Sequence, residues 1–319
     1  MLSFRRWWRH AQGPVLGVDL GADAVRVVAL ATRDPRRALQ ISHYAHKALP
    51  RGAMRDGAIM MPDEVAGALR EAIRASGCRL RDAALALPAG AAIRKTLSLP
   101  TLLHEDEMEL QVEAEAGETL PFPRDEIGLD FTVAGPTAGQ PDCVDVVLVA
   151  ARRERIDERV ALARAAGLRP LVVDIESQAL ATAIARVDAA HDAGPAPVLA
   201  ALRLGPEHGQ CLFMADGVLS YERELVLPMS SGDVATVERV CQEFDRALQL
   251  FQTATTHTGL HRIYLLGTAP DALAAALQRR TGAPVVLPAL QRHRPGAPPD
   301  DVPTSSLLAC GLALGSAER

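Results

Sequence analysis

Two stretches of this chain open alike, and the repeat constrains the fold more than any other feature. Val15 to Leu20 and Ala24 to Leu30 are short apolar runs joined at Gly21-Ala22-Asp23, so they read as buried strands of a hairpin, and Ala38 to Leu49 adds a third strand. Past the Ala-, Gly- and Pro-containing stretch Asp188 to Pro197, the plan returns. Val198 to Leu204 and Gln210 to Met214 flank the turn Gly205-Pro206-Glu207-His208-Gly209, and Val218 to Leu225 follows as a third strand. In the first half a helix opens at Pro62-Asp63-Glu64 with Val65, Leu69 and Ile73 at helical spacing, and strand Ala83 to Leu87 comes next. In the second half the helix is Gly232 to His257, followed by strand Ile263 to Leu266, helix Asp271 to Gly282 and strand Val285 to Leu287.

The first bend carries an acid, Asp19, between Gly17 and Gly21. Glycine lets backbone N–H groups approach an anion closely, and a carboxylate beside them holds Mg²⁺ through water. The same residues also suit an ordinary hairpin whose Asp accepts turn hydrogen bonds. Both readings stand on the residues alone.

Between the two halves the pattern changes. From Ala92 the order is strand (Ile93 to Leu99), helix (Glu105 to Gly117), strand (Gly128 to Ala134), strand (Val144 to Ala151) and helix (Arg153 to Ala166), a compact α+β insertion. Its first helix holds Glu105, Asp106, Glu107, Glu109, Glu113, Glu115 and Glu118. Acids suit a helix N-terminus and a solvated face; they also suit a basic partner, with Glu105, Glu109 and Glu113 as its contacts. Leu171 to Ile175 and the helix Glu176 to Val187 lead to the second half, Pro288 to Pro303 reads as a proline-rich loop, and Ser305 to Leu314 as a closing helix.

Bulk properties remove several classes of function. With 48% hydrophobic and 23% charged residues the chain is globular, and its 319 residues suffice for two lobes. A net charge of −5 and a pI near 6.0 argue against broad nucleic-acid binding. The five cysteines are scattered and never form CxxC, as expected of reduced thiols. Lys47 and Lys95 are the two lysines and neither sits in a GK[ST] context, which excludes a P-loop; HExxH and GxSxG are also absent. No apolar run reaches the ~20 residues of a membrane span, and Met1 to His10 lacks the apolar core of a signal peptide, so the expectation is a cytoplasmic protein. That N-terminal segment does carry Trp7 and Trp8 beside Arg5, Arg6 and Arg9, a composition suited either to anionic lipid headgroups or to a tail packed on the domain.

Two halves that each begin with a three-strand meander at a glycine turn follow the plan of actin-like ATPases and sugar kinases. Within that class the chain resembles the type IV pilus assembly protein PilM family, related to the cell-division protein FtsA. The resemblance rests on Leu16-Gly17-Val18-Asp19-Leu20-Gly21, on Leu120-Pro121-Phe122-Pro123 ahead of Leu129-Asp130-Phe131, and on Val149-Ala150-Ala151-Arg152. Ala165-Ala166-Gly167-Leu168 before Val173-Asp174-Ile175-Glu176-Ser177, and the terminal Ala309-Cys310-Gly311-Leu312-Ala313, complete the ordered set.

The resemblance implies an α/β, two-lobed actin-like (ribonuclease H-like) fold with an inserted strand-helix-strand-strand subdomain. Lobe I would take 13–91 and 168–190, the insertion 92–167, lobe II 191–303 and the closing helix 304–319, after a tail at 1–12. It implies ATP or ADP with Mg²⁺ as cofactor: Gly17, Asp19, Gly21 and Ala22 in the first phosphate loop with Asp19 near the metal, Glu176 at the first connecting helix, Arg203 and Gly205 in the second phosphate loop, Gly267 and Thr268 in the adenosine loop. It also implies a scaffold at the inner-membrane face that binds the cytoplasmic tail of a PilN-like protein and links it to pilus motor ATPases.

Two positions depart from the family pattern, which has an acid where Arg203 stands and a glycine where Thr268 stands. A guanidinium removes a Mg²⁺-water ligand and places +1 where the metal's charge would lie, so the expectation is a degenerate site with little hydrolysis. Two other functions remain open at this level. A small-molecule kinase of this fold needs a catalytic Asp, and Asp125, Asp130 and Asp174 stand in no recognisable substrate loop. An FtsA-like filament protein is disfavoured because no amphipathic helix follows the closing helix in this sequence. If Phe4 to Arg9 faces lipid, deleting Met1 to His10 is expected to reduce sedimentation with anionic vesicles while leaving the melting temperature unchanged; an equal loss of stability would place the tryptophans in the packing.

Overall fold

The computed structural model describes residues 13–32, 38–137, 139–191, 196–205, 208–226, 234–255, 257–293 and 299–315. The basic-aromatic segment Met1 to His10 lies outside the described residues, as do Pro206 and Glu207 of the second turn and parts of the stretches at 188–197 and 288–303.

The first repeat forms β1 (Leu16–Leu20), β2 (Ala24–Leu30) and β3 (Ile41–Ala48), an antiparallel meander whose register places Asp19 opposite Arg26. A small hairpin, β4 (Met54–Arg55) and β5 (Ala58–Ile59), precedes α1 (Pro62–Ser76). Helix α1 starts with proline at its first position and Asp63 and Glu64 in the first turn, and it stops at the left-handed Gly77. Between these ends it buries Val65, Leu69, Ala72 and Ile73 against the meander. Strand β6 (Asp82–Leu87) then pairs parallel to β1.

The insertion comprises β7 (Ala92–Pro100), α2 (Glu105–Thr119), β8 (Ile127–Thr137), β9 (Gln140–Arg152) and α3 (Arg153–Ala165). Its three strands form a separate antiparallel sheet in the order β7-β9-β8. Helix α2 covers that sheet through Val112 and Ala116, which meet Leu97, Leu99, Val146 and Leu148. Helix α3 returns the chain to the first lobe: Leu162 and Ala163 enter the core built by Leu16, Val18 and Leu69. Strand β10 (Arg169–Ile175) then pairs parallel to β6.

Helix α4 (Glu176–Ala189) leads to the second repeat, β11 (Val198–Leu204), β12 (His208–Ala215) and β13 (Val218–Val226). After α5 (Val234–Ala254) come β14 (Arg262–Gly267), α6 (Asp271–Thr281) and β15 (Val285–Val286). The second sheet runs β13-β12-β11-β14-β15, with an antiparallel meander and two parallel strands. The first runs β3-β2-β1-β6-β10 with the same directions, so the repeat legible in the sequence is a repeat of topology.

One segment departs from the expected boundary. The proline-rich stretch holds β16 (Leu290–Arg292) and β17 (Asp300–Val302), and these extend the first sheet beyond β3 instead of staying with the second lobe. Three-residue strands that pair with a partner some 250 residues away leave no periodic signal, whereas Ile41 opposite Arg292 supplies the register.

The closing helix α7 (Leu307–Leu314), together with α4, forms the seam between the sheets. One continuous core contains Val28 and Ala84 of the first sheet, Ala201 and Leu212 of the second, Leu180 and Ile184 of α4, and Leu308 and Leu312 of α7. Backbones touch here: a Cβ on Gly311 would lie 1.8 Å from the Ala179 carbonyl oxygen, and one on Gly17 would lie 1.9 Å from that of Ala309. Helix α4 is also tied to the second sheet at its far end, where buried Asp188 accepts hydrogen bonds from Arg262 and, at 2.8 Å, from the Tyr264 hydroxyl. Gly311→Ala is therefore expected to destabilise the protein by about 3 kcal/mol or more through overpacking. Gly67→Ala in α1, whose Cβ would have Arg70 Nη2 as nearest atom at 3.8 Å, is expected to stabilise by about 0.5–1 kcal/mol. Urea unfolding of the two variants checks both signs.

Candidate functional site

The duplicated strands end in duplicated tripeptides, Asp19-Leu20-Gly21 on β1 and Arg203-Leu204-Gly205 on β11. Asp19 and Arg203 are thus equivalent positions of the two repeats, each opposite the equivalent residue of the next strand, Arg26 and Gln210. The topology points these carboxyl-terminal strand ends at one another across the cleft, where open α/β sheets place their ligands.

What meets there is a carboxylate and a guanidinium. Arg203 Nη2 stands 4.0 Å from Asp19 Oδ2, while Arg203 Nη1 donates to Glu176 Oε2 at 3.1 Å from the first residue of α4. On the other flank Arg26 Nη1 lies 3.6 Å from Asp19 Oδ2, and its Nη2 donates to both Asp23 oxygens at 2.9 Å. Asp19 is 1% exposed, yet neither of its oxygens has a hydrogen-bond partner. Burial pushes its carboxyl up to about 6, against the opposing pull of Arg203 and Arg26. Burial works to lower the Arg203 pKa, but Glu176 and Asp19 outweigh it and the group is held above its usual value. Among these residues charge is close to balanced, with each arginine facing an acid from another element.

The glycines of the loops divide by task. Gly21 closes the first turn by donating to the Ala24 carbonyl at 3.0 Å, and a Cβ there would sit 2.6 Å from Arg26 Nη1, so the guanidinium lies directly over the loop. Gly267, at φ +81°, ends β14 where a Cβ would be 2.0 Å from the Leu204 carbonyl oxygen, and its N–H donates to Thr304 Oγ1 at 3.1 Å. Gly205 is half-buried beside it, whereas Ala22 and Thr268 are exposed. Gly17 belongs elsewhere. Its missing side chain points into α7, which gives it a packing reason in place of the expected loop role.

Sequence reasoning passed over two arginines. Arg26 is legible in principle, since the hairpin register that seats Gly21 also puts Arg26 opposite Asp19. Arg159 of α3 is 2% exposed; its Nε donates to the Ala86 carbonyl at 3.3 Å and its Nη2 to that of Gly57, while Nη1 has no partner. Burial lowers its pKa and Glu176 opposes that, placing another cation near the same carboxylate. Nothing in the charge-rich run Arg152 to Arg155 marks a buried arginine a turn later.

Mg²⁺, which the resemblance to PilM implies, is poorly served by this donor set. A hard cation needs converging oxygens, and the two carboxylates that converge, those of Asp19 and Glu176, already hold the Arg203 guanidinium between them. A divalent ion there would face a fixed positive charge, so the residues do not fit the metal. They do fit phosphate, with Arg26 over the Gly21 loop and Arg203 at the end of β11.

The acidic helix also divides. Glu115 and Glu118, with Gln111 and Ala114, line one side of a groove of about 430 Å³ whose other side is Thr96 to Leu99 of β7. Glu109 and Glu113 are half-buried on the other flank of the Val112–Ala116 stripe, where Arg124 Nη2 donates to the Glu113 carbonyl at 3.1 Å. The side chain of Glu105 lies outside the described residues.

Two five-strand units of the same order, joined by two helices and facing across a cleft, define the actin-like ATPase fold. A family model of the type IV pilus assembly protein PilM matches residues 17–230, and the chain belongs to that family. Over 97% of this chain and 100% of the other, the fold is similar to a solved PilM-PilN type IV pilus biogenesis complex, at 22% identity and a TM-score of 0.77. It is also similar to the ethanolamine utilization protein EutJ from Carboxydothermus hydrogenoformans (13% identity, 96% and 91% of the chains, TM-score 0.53). The cytoplasmic domain of EpsL from the Vibrio cholerae type II secretion system is comparable (11% identity, 95% of each chain, TM-score 0.51). Among the described residues no helix is long and apolar enough to cross a membrane.

The Asp19 carboxyl gives a pH signature. Its pKa is raised on folding from 3.8 to about 6, so its ionisation favours unfolding, and stability falls as pH rises through that window. Asp19→Asn is expected to stabilise the protein near pH 8, by up to about 3 kcal/mol, and to converge on the parent near pH 4. Urea midpoints at the two pH values check this.

Proposed function

We propose that this chain is an actin-like scaffold of a type IV pilus assembly complex at the cytoplasmic face of the inner membrane. It binds the cytoplasmic tail of a PilN-like membrane protein through the inserted subdomain, presents that assembly to the pilus motor ATPases, and keeps a nucleotide site that does not turn over. Membership of the PilM family carries the assembly role. The relative solved as a PilM-PilN complex supports the choice of partner.

The observation that carries the peptide-binding part is the β7 edge. Strand β7 pairs with β9 on one side and, among the described residues, has no strand on the other, so alternate backbone groups face the groove beneath α2. An extended peptide satisfies such groups by adding a strand, while its side chains enter the groove beside Leu97 and Leu99. Cytoplasmic tails of membrane proteins carry excess Lys and Arg, and Glu118 on the groove wall offers the opposite charge, while Glu115 beside it is ion-paired with Lys95 of β7 at 2.5 Å. Glu109 and Glu113 add to the acidic field without lining the groove.

The kinase alternative has less support. Asp125 and Asp130 belong to the inserted subdomain, where Asp130 Oδ1 accepts its neighbour's N–H at 2.9 Å, and Asp174 is 2% exposed with Oδ1 occupied by the Ile175 N–H. Asp174 is thus buried with one carboxylate oxygen engaged by its own backbone, and the other two stand on the inserted subdomain, away from the ends of β1 and β11.

The two sets of acids act on different rate constants. Charge reversal at Glu109 and Glu113 is expected to slow association with a PilN-like peptide and flatten its salt dependence, because remote charge steers encounter. Reversal at Glu118 is expected also to speed dissociation, by about tenfold, because that residue lines the groove. Surface plasmon resonance at two salt concentrations separates the effects; unchanged kinetics for every variant would move the peptide site off this subdomain.

A further inference from the structure

The nucleotide part of that proposal meets a difficulty at Arg203. Phosphate chains bring several negative charges, and in a cleft lined by Asp19, Asp23 and Glu176 they need compensation from a metal or from the protein. The metal's place is taken: Arg203 Nη1 donates to Glu176 at 3.1 Å, and Nη2 stands 4.0 Å from Asp19, which is longer than a hydrogen bond. Arg203 comes from the second lobe and both acids from the first, so its guanidinium bridges the cleft as a bound cation would.

We propose that Arg203 is a built-in substitute for the divalent metal, so that the cleft takes a di- or triphosphate chain directly, without Mg²⁺. Four features support this. Its side chain is 22% exposed and therefore reachable from the cleft. Arg26 supplies a second guanidinium directly over the Gly21 loop. Neither Asp19 oxygen is committed to a hydrogen bond, so Arg203 can turn toward an anion without stripping a bonded partner from Asp19. Finally, a planar guanidinium binds phosphate oxygens in bidentate fashion, so one Arg can grip a phosphate chain as a chelated metal does. The ligand chemistry is a polyphosphate chain, whether of a nucleotide or inorganic, and it rests on the nucleotide half of the proposed function alone.

The test is binding of ATP, ADP and inorganic tripolyphosphate to the full chain by calorimetry and thermal shift, in EDTA and in Mg²⁺. The expected result is a dissociation constant that agrees within about twofold between the two buffers. Arg203→Asp, which restores an acid, is expected to weaken binding at least about tenfold in EDTA and to recover it in Mg²⁺. Arg203→Lys retains a cation and is expected to keep binding metal-independent, which separates loss of charge from loss of fold. Binding of ATP but not tripolyphosphate supports the proposal with a nucleotide as ligand; equal binding supports it with the phosphate chain as the recognised group. Binding by the parent only with Mg²⁺, or no binding of any probe in either buffer, overturns it. A PilN-like peptide titrated into the same samples distinguishes this failure from failure of the scaffold reading.

Discussion

Helix α7 reaches β1 and α4 through backbone contacts, and the two-lobed architecture depends on those contacts. At Gly311 and Gly17 there is no room for a Cβ, so the α7 backbone packs directly on its neighbours, at a depth that a side chain would prevent. That depth sets how far apart the sheets stand, because residues of both meet on α4 and α7 in one core. The polar contacts of the cleft are made across the same seam, with Arg203 of one sheet 4.0 Å from Asp19 of the other. Interactions at the two ends of α4, Glu176 with Arg203 and Asp188 with Arg262 and Tyr264, then fix the second sheet against a helix that the glycines have already placed.

Duplication explains why opposite charges occupy equivalent positions. Two copies of one strand order, facing each other, bring their matching residues together, and two acids at those positions would repel unless a cation stood between them. Replacing one of them by arginine removes that requirement. The cleft is then held by protein charges alone, at the expense of a buried carboxylate at Asp19 that makes no hydrogen bond and whose pKa rises accordingly.

Most of the regular structure was legible because it is periodic. The meander at 16–48, α1 with its proline start and glycine stop, and the strand-helix-strand-strand insertion all announce themselves in local pattern, and the repeat of the meander announces the second lobe. What escaped was non-local. Strands β16 and β17 are too short to carry a period and exist because the edge of β3 is available. Gly17 resembles a loop glycine in the string Leu16 to Gly21, and only the arrival of a helix from nearly 300 residues later reveals its packing task. The site was half legible: Asp19, Gly21, Glu176 and Arg203 do converge, but Arg26 needed the hairpin register and Arg159 needed the burial of α3.

Strand β7 links the cleft to the groove. Near its start Arg94 Nη1 donates to the Leu219 carbonyl of β13 at 3.1 Å, so the second lobe is tied to the insertion as well as to α4. Only two residues further on, the same strand becomes the wall of the groove at Thr96 to Leu99. The strand is paired along its whole length to β9, so the Arg94 contact and the groove wall belong to one continuous ladder. Under the proposed peptide reading, a tail adding to β7 meets an edge already fixed by β9 along its length and by the Leu219 carbonyl near its start, which spares the ordering free energy a loose edge would cost.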